Sequence, residues 1–329
     1  MDRKNILPRS NRIYSFAALL VLGLSVTITI AVNQTSASDG LRATRFKQNP
    51  IIHPQLGSIG NNINGPSLIR VPGWLSKPLG RYYLYFADHG GRYVRLAYAD
   101  KLEGPWSIYE SGTLKLNETI CNEHIASPDV HIDEARREIR MYFHGPVKSA
   151  NRQVSLVATS KDGIQFFAAS EILGDSYFRV FQWNGYYYAM ARLGMLYRSR
   201  DGLTGFELGG NPFQNGALPS MIRHVALKLD GDVLSVFFSR IGDAPESILL
   251  SKIKLQKDWK EWRASEPVTI LKPEMVYEGS ELPVSLSKEG AAPGKVRQLR
   301  DPAVFREGKK NYLLYSVAGE SGIAIAEIN

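Results

Sequence analysis

The stretch Arg300-Asp301-Pro302-Ala303-Val304-Phe305, followed by Glu307-Gly308-Lys309 and Tyr312-Leu313-Leu314-Tyr315-Ser316, decides the fold. It is a short apolar strand, a polar turn that contains glycine, and a second strand rich in aromatic residues. Four further copies of this pattern begin at Gly65, Ser127, Tyr177 and His224. A unit of this size cannot bury its apolar faces alone, so the five copies must stack against one another.

The strands that follow each copy predict the architecture. In the first four copies two more short strands come after the repeated pair, which gives four antiparallel strands per unit. Such units around a central channel form a β-propeller, so we predict an all-β, five-bladed β-propeller over residues 39–329. The fifth copy has no outer strand, and a bare sheet edge is a liability. We therefore expect an N-terminal strand, within residues 41–54, to pack on blade five and close the ring.

Residues 1–38 form a separate N-terminal segment. Basic residues precede an uncharged run at 13–32, and small residues follow it. This pattern predicts a secretory signal peptide, cleaved near Ala37 or Ser38, and a secreted or periplasmic protein. The run is also long enough to act as an uncleaved membrane anchor that leaves the propeller outside the cytoplasm. We expect no other contact with a membrane.

Composition limits the other classes of partner. The chain has 329 residues, of which 44 % are hydrophobic and 22 % charged, as in ordinary globular proteins. Its net charge is +8, but it contains no dense run of lysine and arginine, so we predict no nucleic-acid partner. The single cysteine, Cys121, excludes an internal disulfide. We expect a monomer that requires no cofactor, with a divalent metal as an open alternative.

Several short sequence motifs, distributed over the blades, resemble those of a known family. They are Asn49-Pro50-Ile51-Ile52, Gly104-Pro105-Trp106, Asp301-Pro302 and the Ser-x-Asp-Gly turns at Ser160 and Ser199. Residues 41–329 thus resemble the five-bladed propeller superfamily of glycoside hydrolases, which includes family 43 arabinanases and xylosidases. The resemblance implies a central pocket where the innermost strand of each blade begins.

The same resemblance implies divergence at the catalytic positions. Family 43 enzymes have an Asp base on blade one, a second Asp on blade three and a Glu acid on blade four. The matching positions in this sequence are Gly65, Tyr177 and His224, none of which is a carboxylate. Blade five alone has an acid at its matching position, Asp301. The resemblance therefore implies a saccharide ligand but not the usual three carboxylates.

Three carboxylates remain as catalytic candidates. Asp301 is the predicted base because of its position at the start of an innermost strand. Glu278 is a candidate acid, since Tyr277-Glu278-Gly279 is similar to the Glu-Gly that carries the family's acid. Asp129, near the start of the second copy, is the other candidate. An inverting hydrolase needs one protonated and one ionised carboxyl across the scissile bond.

Antiparallel pairing adds further residues to the pocket face. If a first strand begins at the pocket, the second strand ends there, together with the residues that follow it. The predicted ligand-binding residues are Asp88, His89, His144, Tyr177, Arg223, His224, Arg240 and Arg300. Arginines and imidazoles suit a carboxylate or sulfate, which favours an acidic sugar such as a uronic acid. Alternatively, His89, His144 and His224 could bind a divalent metal.

Three functions remain open from the sequence. The first is an exported carbohydrate-active enzyme, a divergent glycoside hydrolase with Asp301 as its base. The second is a polysaccharide lyase in which Tyr177 and His224 abstract a proton from a uronic acid. The third is a non-catalytic propeller that binds a saccharide.

Overall fold

The computed structural model describes residues 41–214 and 221–329 as a five-bladed β-propeller, which confirms the predicted fold class. The proposed leader at 1–38 lies outside the described residues. Helical structure in these ranges is limited to short 3-10 turns at Pro54–Leu56, Leu116–Glu118, Lys148–Ala150, Arg192–Gly194, Trp259–Glu261 and Val276–Glu278. In the described part of the chain no helix has the length and apolarity needed to cross a membrane.

The strands follow one another in blade order. Strand β1 spans Ala43–Arg45. Blade I consists of β2 to β5, at Asn64–Arg70, Tyr82–Ala87, Arg95–Ala99 and Ser107–Tyr109. Blade II consists of β6 to β10, at Ala126–Asp133, Glu138–Val147, Arg152–Ser160, Phe167–Ala168 and Gly174–Asp175. Its outer edge is divided between the short strands β9 and β10, which both pair with β8.

The remaining blades have four strands each. Blade III consists of β11 to β14, at Arg179–Trp183, Tyr186–Met190, Leu196–Ser199 and Glu207–Leu208. Blade IV consists of β15 to β18, at Ile222–Asp230, Val233–Arg240, Ile248–Lys254 and Val268–Leu271. Blade V consists of β19 to β21, at Arg300–Glu307, Lys310–Ser316 and Ile323–Ile328, together with β1. All of the strand pairs in these three blades are antiparallel.

Closure of the ring by an N-terminal strand is confirmed. Strand β1 pairs antiparallel with β21, with Ala43 opposite Ile328. The side chain of Asn49 then continues the edge, because it accepts a hydrogen bond from the Ile325 amide and donates one to the Ile325 carbonyl. These bonds occupy backbone groups that an open edge would leave unpaired.

The core consists of apolar clusters between neighbouring blades. For example, Tyr85 of blade I and Phe143 of blade II belong to one fully buried cluster. Comparable clusters join blades I and V, II and III, III and IV, and IV and V. Each blade therefore buries its two faces against its neighbours, which is the physical reason that the repeat could not fold as a single unit.

The innermost strands begin with a shared backbone distortion. Gly65, Ser127, Tyr177 and Asp301 all have a positive φ, at 58°, 49°, 69° and 48°. Strands β2, β6, β15 and β19 also carry a register shift at this point. A positive φ is uncommon for residues other than glycine, so its recurrence at the starts of four copies marks these positions as structurally equivalent. These distorted starts meet around the propeller axis.

Candidate active site at the propeller axis

A pocket opens where the innermost strands begin, and all five blades contribute to it. The connection between β18 and β19, residues 272–299, adds one wall. The lining residues are Asn64, His89, His124, Ala126, Ser127, His144, Gln153, Tyr177, Arg192, Ile222, Arg223, His224, Ile241, Glu289, Gly290, Asp301 and Glu320. Six of the predicted site residues are among them: His89, His144, Tyr177, Arg223, His224 and Asp301.

A carboxylate–imidazole pair lies in the floor of this pocket. His224 Nδ1 contacts Oδ1 of Asp301, and the Ser316 hydroxyl lies 3.2 Å from Oδ2. Asp301 is 2 % exposed, so its two oxygens are both engaged and shielded from water. An ionised carboxylate only accepts hydrogen bonds, so Nδ1 of His224 carries the proton and Nε2 carries the lone pair. Nε2 is buried and has no hydrogen-bond partner among the described residues.

The surroundings of His224 keep its ring neutral. Burial, together with the positive charges of Arg179 and Arg223, lowers the pKa of His224 well below its usual value. The Asp301 carboxylate acts in the opposite sense and stabilises the imidazolium once a proton arrives. A neutral imidazole with a free lone pair and a carboxylate behind it is the arrangement of a general base.

Tyr177 lies between the buried His144 and the largely buried His224. Its ring centroid is 4.0 Å from that of His144 and 4.2 Å from that of His224. Burial raises the pKa of Tyr177, so the phenol keeps its proton at neutral pH. Burial, with contributions from His124 and Arg179, lowers the pKa of His144 well below its usual value. We refer to His144 and His224 as the floor histidines.

The predicted ligand-binding arginines at the blade IV–V boundary are already neutralised. Arg223 Nε donates to Glu246 Oε1 at 2.8 Å. Arg300 bridges Glu246 Oε2 at 3.2 Å and Glu320 Oε1 at 2.9 Å. Arg300 is 1 % exposed and is absent from the pocket lining. This buried network holds the pocket wall in place and leaves little charge for a ligand.

The rim combines groups from distant parts of the sequence. His89 is well exposed, and its Nδ1 lies 3.6 Å from Oε2 of Glu320. Arg192 of blade III forms an ion pair with Glu289 on the 272–299 connection. Glu289 was missed by the sequence analysis, since nothing in its local sequence distinguishes it from other loop glutamates. Ser316 could have been found, because it ends the second strand of blade V and hence lies at the pocket face.

Two of the predicted catalytic carboxylates lie outside the pocket lining. Glu278 is fully buried, where it pairs with Arg45 at 2.7 Å and accepts a hydrogen bond from Tyr315 at 2.9 Å. It thus ties the closing strand to blade V. Asp129 lies 2.7 Å from His131 Nε2. Burial alone would raise the pKa of Asp129, but this contact and other polar contacts hold it below its usual value. The structure therefore brings neither carboxylate to Asp301.

Two predicted rim residues also turn to partners outside the pocket lining. Asp88 accepts a hydrogen bond from Arg95 Nη2 at 2.9 Å. Arg240 Nε donates to Asp243 at 3.1 Å. Both residues follow or end a second strand, as expected, but their side chains serve local ion pairs.

The metal alternative receives no support from the geometry. Within residues 41–214 and 221–329, no group of three or more His, Cys, Asp or Glu side chains is arranged to hold a metal ion. His89, His144 and His224 all line the pocket, but they do not form such a group. Cys121, the one cysteine, is buried and unpaired.

Comparison with known proteins gives one close relative and many structural neighbours. No family model matches the sequence. "Uncharacterized protein R118" of Acanthamoeba polyphaga mimivirus is 40 % identical, in an alignment that covers 90 % of this chain and 93 % of that protein. The relative's name states no activity.

The structural neighbours are glycoside hydrolases. A thermostable family-43 glycoside hydrolase has a TM-score of 0.56 and 16 % identity, covering 84 % of this chain and 91 % of the other. A putative glycoside hydrolase of Bacteroides ovatus has a TM-score of 0.61 and 13 % identity, and the match covers 87 % of this chain and 95 % of the other. A β-xylosidase/α-arabinofuranosidase from a compost microbial metagenome, solved with xylotriose, has a TM-score of 0.57 and 12 % identity. That match covers 87 % of this chain and 94 % of the other. At these identities the neighbours show a shared glycoside hydrolase-like propeller fold.

Proposed function

The chain belongs to the same family as the mimivirus protein R118, and we propose that it cleaves glycosidic bonds of a saccharide bound at the propeller axis. The observation that carries this proposal is the Asp301–His224 pair in the pocket floor, with the unpartnered Nε2 of His224 next to Tyr177. Together these groups form a base and a proton donor. They replace the carboxylates that the family 43 resemblance would place at Tyr177 and His224.

A saccharide ligand is supported by the shared fold. Structural neighbours were solved with xylose and with xylotriose. The pocket of this chain offers polar side chains from all five blades, including Asn64, Gln153 and Ser127. Such groups suit the hydroxyls of a sugar, which both donate and accept hydrogen bonds. Export to the periplasm or cell exterior, through residues 1–38, is part of the proposal.

The placement of the proton-transfer groups favours elimination over inverting hydrolysis. An inverting hydrolase needs one protonated and one ionised carboxyl group on opposite faces of the sugar. Here the rings of Tyr177 and His224 are in contact, at a centroid distance of 4.2 Å. In β-elimination the proton that leaves and the oxygen that departs are on neighbouring carbons, so one base and one acid in contact can serve both.

The elimination step assigns a role to each residue. His224 Nε2 takes the proton from the carbon next to the carboxylate of a uronic acid. The electron pair of that C–H bond forms a C=C bond as the neighbouring C–O bond breaks. The Tyr177 hydroxyl gives its proton to the departing oxygen. Asp301 stabilises the imidazolium that forms, and no oxidant or water is consumed.

Hydrolysis is the second candidate, and the fold favours it. The structural neighbours are named as glycoside hydrolases, one of them a β-xylosidase/α-arabinofuranosidase. In this chain, however, Asp301 has both oxygens engaged, so it would act on water through His224. The carboxylates of Glu289 and Glu320, which also line the pocket, are held by Arg192 and Arg300. Both carboxylates are therefore already engaged in ion pairs within the protein.

Product analysis separates these functions. The full-length protein is incubated with neutral and uronic-acid oligosaccharides while reducing ends and the ultraviolet absorbance of unsaturated uronyl ends are followed. Elimination predicts that both rise together, and hydrolysis predicts reducing ends alone. His224→Asn should abolish either activity. The matched control is His131→Asn, which removes a carboxylate-paired histidine outside the pocket and should leave turnover intact.

Binding without turnover on the whole panel would overturn the proposed catalysis and leave the saccharide-binding propeller. Full activity of His224→Asn would equally remove His224 as the base.

A further inference from the structure

Arg192 is held beside Tyr177, the proposed proton donor. It begins the 3-10 turn Arg192–Gly194 after strand β12, and its amide donates to the Ser176 carbonyl at 2.9 Å. Ser176 directly precedes Tyr177, whose ring lies between the floor histidines. Burial raises the pKa of Tyr177, and the positive charge of Arg192 acts in the opposite direction. The turn therefore places a cation close to the group that gives up a proton.

The partner of Arg192 is an exposed carboxylate. Two arginines of the described chain, Arg192 and Arg223, line the axial pocket. Arg223 is paired with Glu246, which is fully buried. Arg192 is paired with Glu289, whose side chain is 68 % exposed. Because exposed ion pairs contribute little to stability, Glu289 can be exchanged for another carboxylate at low cost.

The backbone around Glu289 is fixed on both sides. The carbonyl of Gly290 accepts hydrogen bonds from Nη1 of Arg223 at 3.3 Å and from Nη1 of Arg300 at 3.2 Å. On the other side, Ser287 is buried, and its hydroxyl accepts a hydrogen bond from the connection between β16 and β17 at 2.9 Å. Rotation of the Glu289 side chain is then enough to open the ion pair, without movement of the surrounding loop.

The pocket is too small for a sugar while this ion pair is closed. The described residues enclose about 50 Å³, whereas sites for small molecules typically enclose about 300–1,000 Å³. Glu320, which also lines the pocket, is 5 % exposed and is held by Arg300 at 2.9 Å and by Asn62 at 2.7 Å. Glu289 is exposed and has a single ion-pair partner in the described chain. It is therefore the glutamate that an entering sugar can displace.

We propose that Arg192 binds the carboxylate of a uronic-acid sugar in the axial pocket, and that Glu289 occupies the place of this carboxylate until the sugar displaces it. A uronic acid keeps the guanidinium paired through charge-assisted hydrogen bonds, with the planar geometry that arginine provides. A neutral sugar would displace Glu289 without replacing its charge. The site therefore selects for negative charge.

This inference deepens the proposed function and rests on it for the reaction. Abstraction of the proton next to a carboxylate builds negative charge on that carboxylate, and a guanidinium bound there stabilises the charge as it develops. Arg192 thus assists the step assigned to His224, while Tyr177 gives its proton to the departing oxygen. We accordingly expect Arg192 to affect kcat as well as KM on uronic-acid saccharides.

Equilibrium binding tests the site without any need for turnover. The full-length protein is titrated with sodium glucuronate and with glucose at equal ionic strength, and calorimetry and thermal unfolding report binding. We expect glucuronate to bind saturably and glucose to bind at least about 10-fold more weakly, as for the loss of one hydrogen bond to a charged group. Equal binding of the two sugars, or no saturable binding of glucuronate, overturns the carboxylate site.

Replacements of the two paired residues should act on glucuronate in opposite directions. Arg192→Met removes the cation and should weaken glucuronate by about 10-fold to 100-fold, with little effect on glucose. Arg192→Lys keeps the charge and should restore part of that loss. Glu289→Gln removes the competing carboxylate and should tighten glucuronate by about 2-fold to 5-fold. This second variant keeps the test available if Arg192→Met fails to fold.

Ion pairs outside the pocket lining supply matched controls. Glu207 has the same 68 % exposure as Glu289 and pairs with Arg198 at 3.2 Å. Arg70 forms another exposed ion pair. Glu207→Gln and Arg70→Met should leave glucuronate binding unchanged. If Arg192→Met and Glu289→Gln weaken both sugars equally, the pair is only structural and the inference fails.

The outcomes separate this inference from the proposed function. Glucuronate binding that depends on Arg192, without turnover of any saccharide, leaves the site standing and removes the catalysis. Turnover of uronic-acid saccharides with kcat and KM unaffected by Arg192→Met removes the site and leaves the catalysis.

Discussion

The replacement Asp301→Asn tests whether the buried carboxylate acts through His224. The amide is nearly the same size as the carboxylate, so its oxygen can accept from Nδ1 of His224 and its nitrogen can donate to Ser316. The hydrogen bonds and the tautomer are therefore retained, and the negative charge behind the imidazolium is what is lost.

The size of the effect follows from that difference. A hydrogen bond to a charged group is worth about 1.5–3 kcal/mol, against about 1 kcal/mol for a neutral one. The difference is about 0.5–2 kcal/mol, and since each 1.36 kcal/mol is a factor of ten, kcat should fall by about 2-fold to 30-fold with KM unchanged. The acid limb of the pH–rate profile should also move to lower pH, because the pKa of His224 falls when the carboxylate that stabilises its charged form is removed.

The assay measures kcat, KM and the pH profile on the saccharide that shows turnover, with thermal unfolding to confirm folding. Asp129→Asn is the matched control, because it makes the same change in an aspartate–histidine pair outside the pocket. It should lower stability and leave kcat unchanged. A folded Asp301→Asn variant with unmodified kcat and an unshifted pH profile would refute the role of the carboxylate.

Three further predictions concern stability. Glu278→Gln should lower the free energy of unfolding by about 3 kcal/mol, because it leaves Arg45 without its buried partner. Chemical denaturation measures this loss, and turnover should not change. An unchanged free energy of unfolding would contradict the prediction. Unfolding temperature should fall as pH drops below 6.5, since unfolded His144 takes up a proton at that pH while the folded pKa lies well below it. His144→Asn should make this dependence less steep, with the remainder due to His224, whose pKa is also lowered. An equally steep profile would exclude His144 as a source. Gly65→Ala should lower the free energy of unfolding by about 1–2 kcal/mol, because residue 65 has a positive φ and an added Cβ would lie 3.1 Å from the backbone of Ser127. A denaturation midpoint equal to that of the wild type would show that the strand start tolerates a side chain.

The backbone register of the site could be predicted, but half of its side-chain directions could not. The repeated pattern located Asp301, His224 and Tyr177 at the pocket, because strand starts and ends follow from local alternation and antiparallel pairing. It also selected Glu278, whose direction depends on Arg45, a residue 233 positions away in the sequence.

The sequence by itself determined the propeller and its closure. Apolar strands that recur with the same turns must bury their faces against copies of themselves. A blade that lacks an outer strand needs a strand from elsewhere in the chain to pair with its open edge. Only the tertiary structure decided the chemistry at the axis, because pairing there joins residues from different blades. Asp301 of blade V meets His224 of blade IV, and Tyr177 of blade III separates His224 from His144 of blade II. Which charged groups neutralise one another, and which are left for a ligand, depends on these distances between blades rather than on the order of residues in the chain.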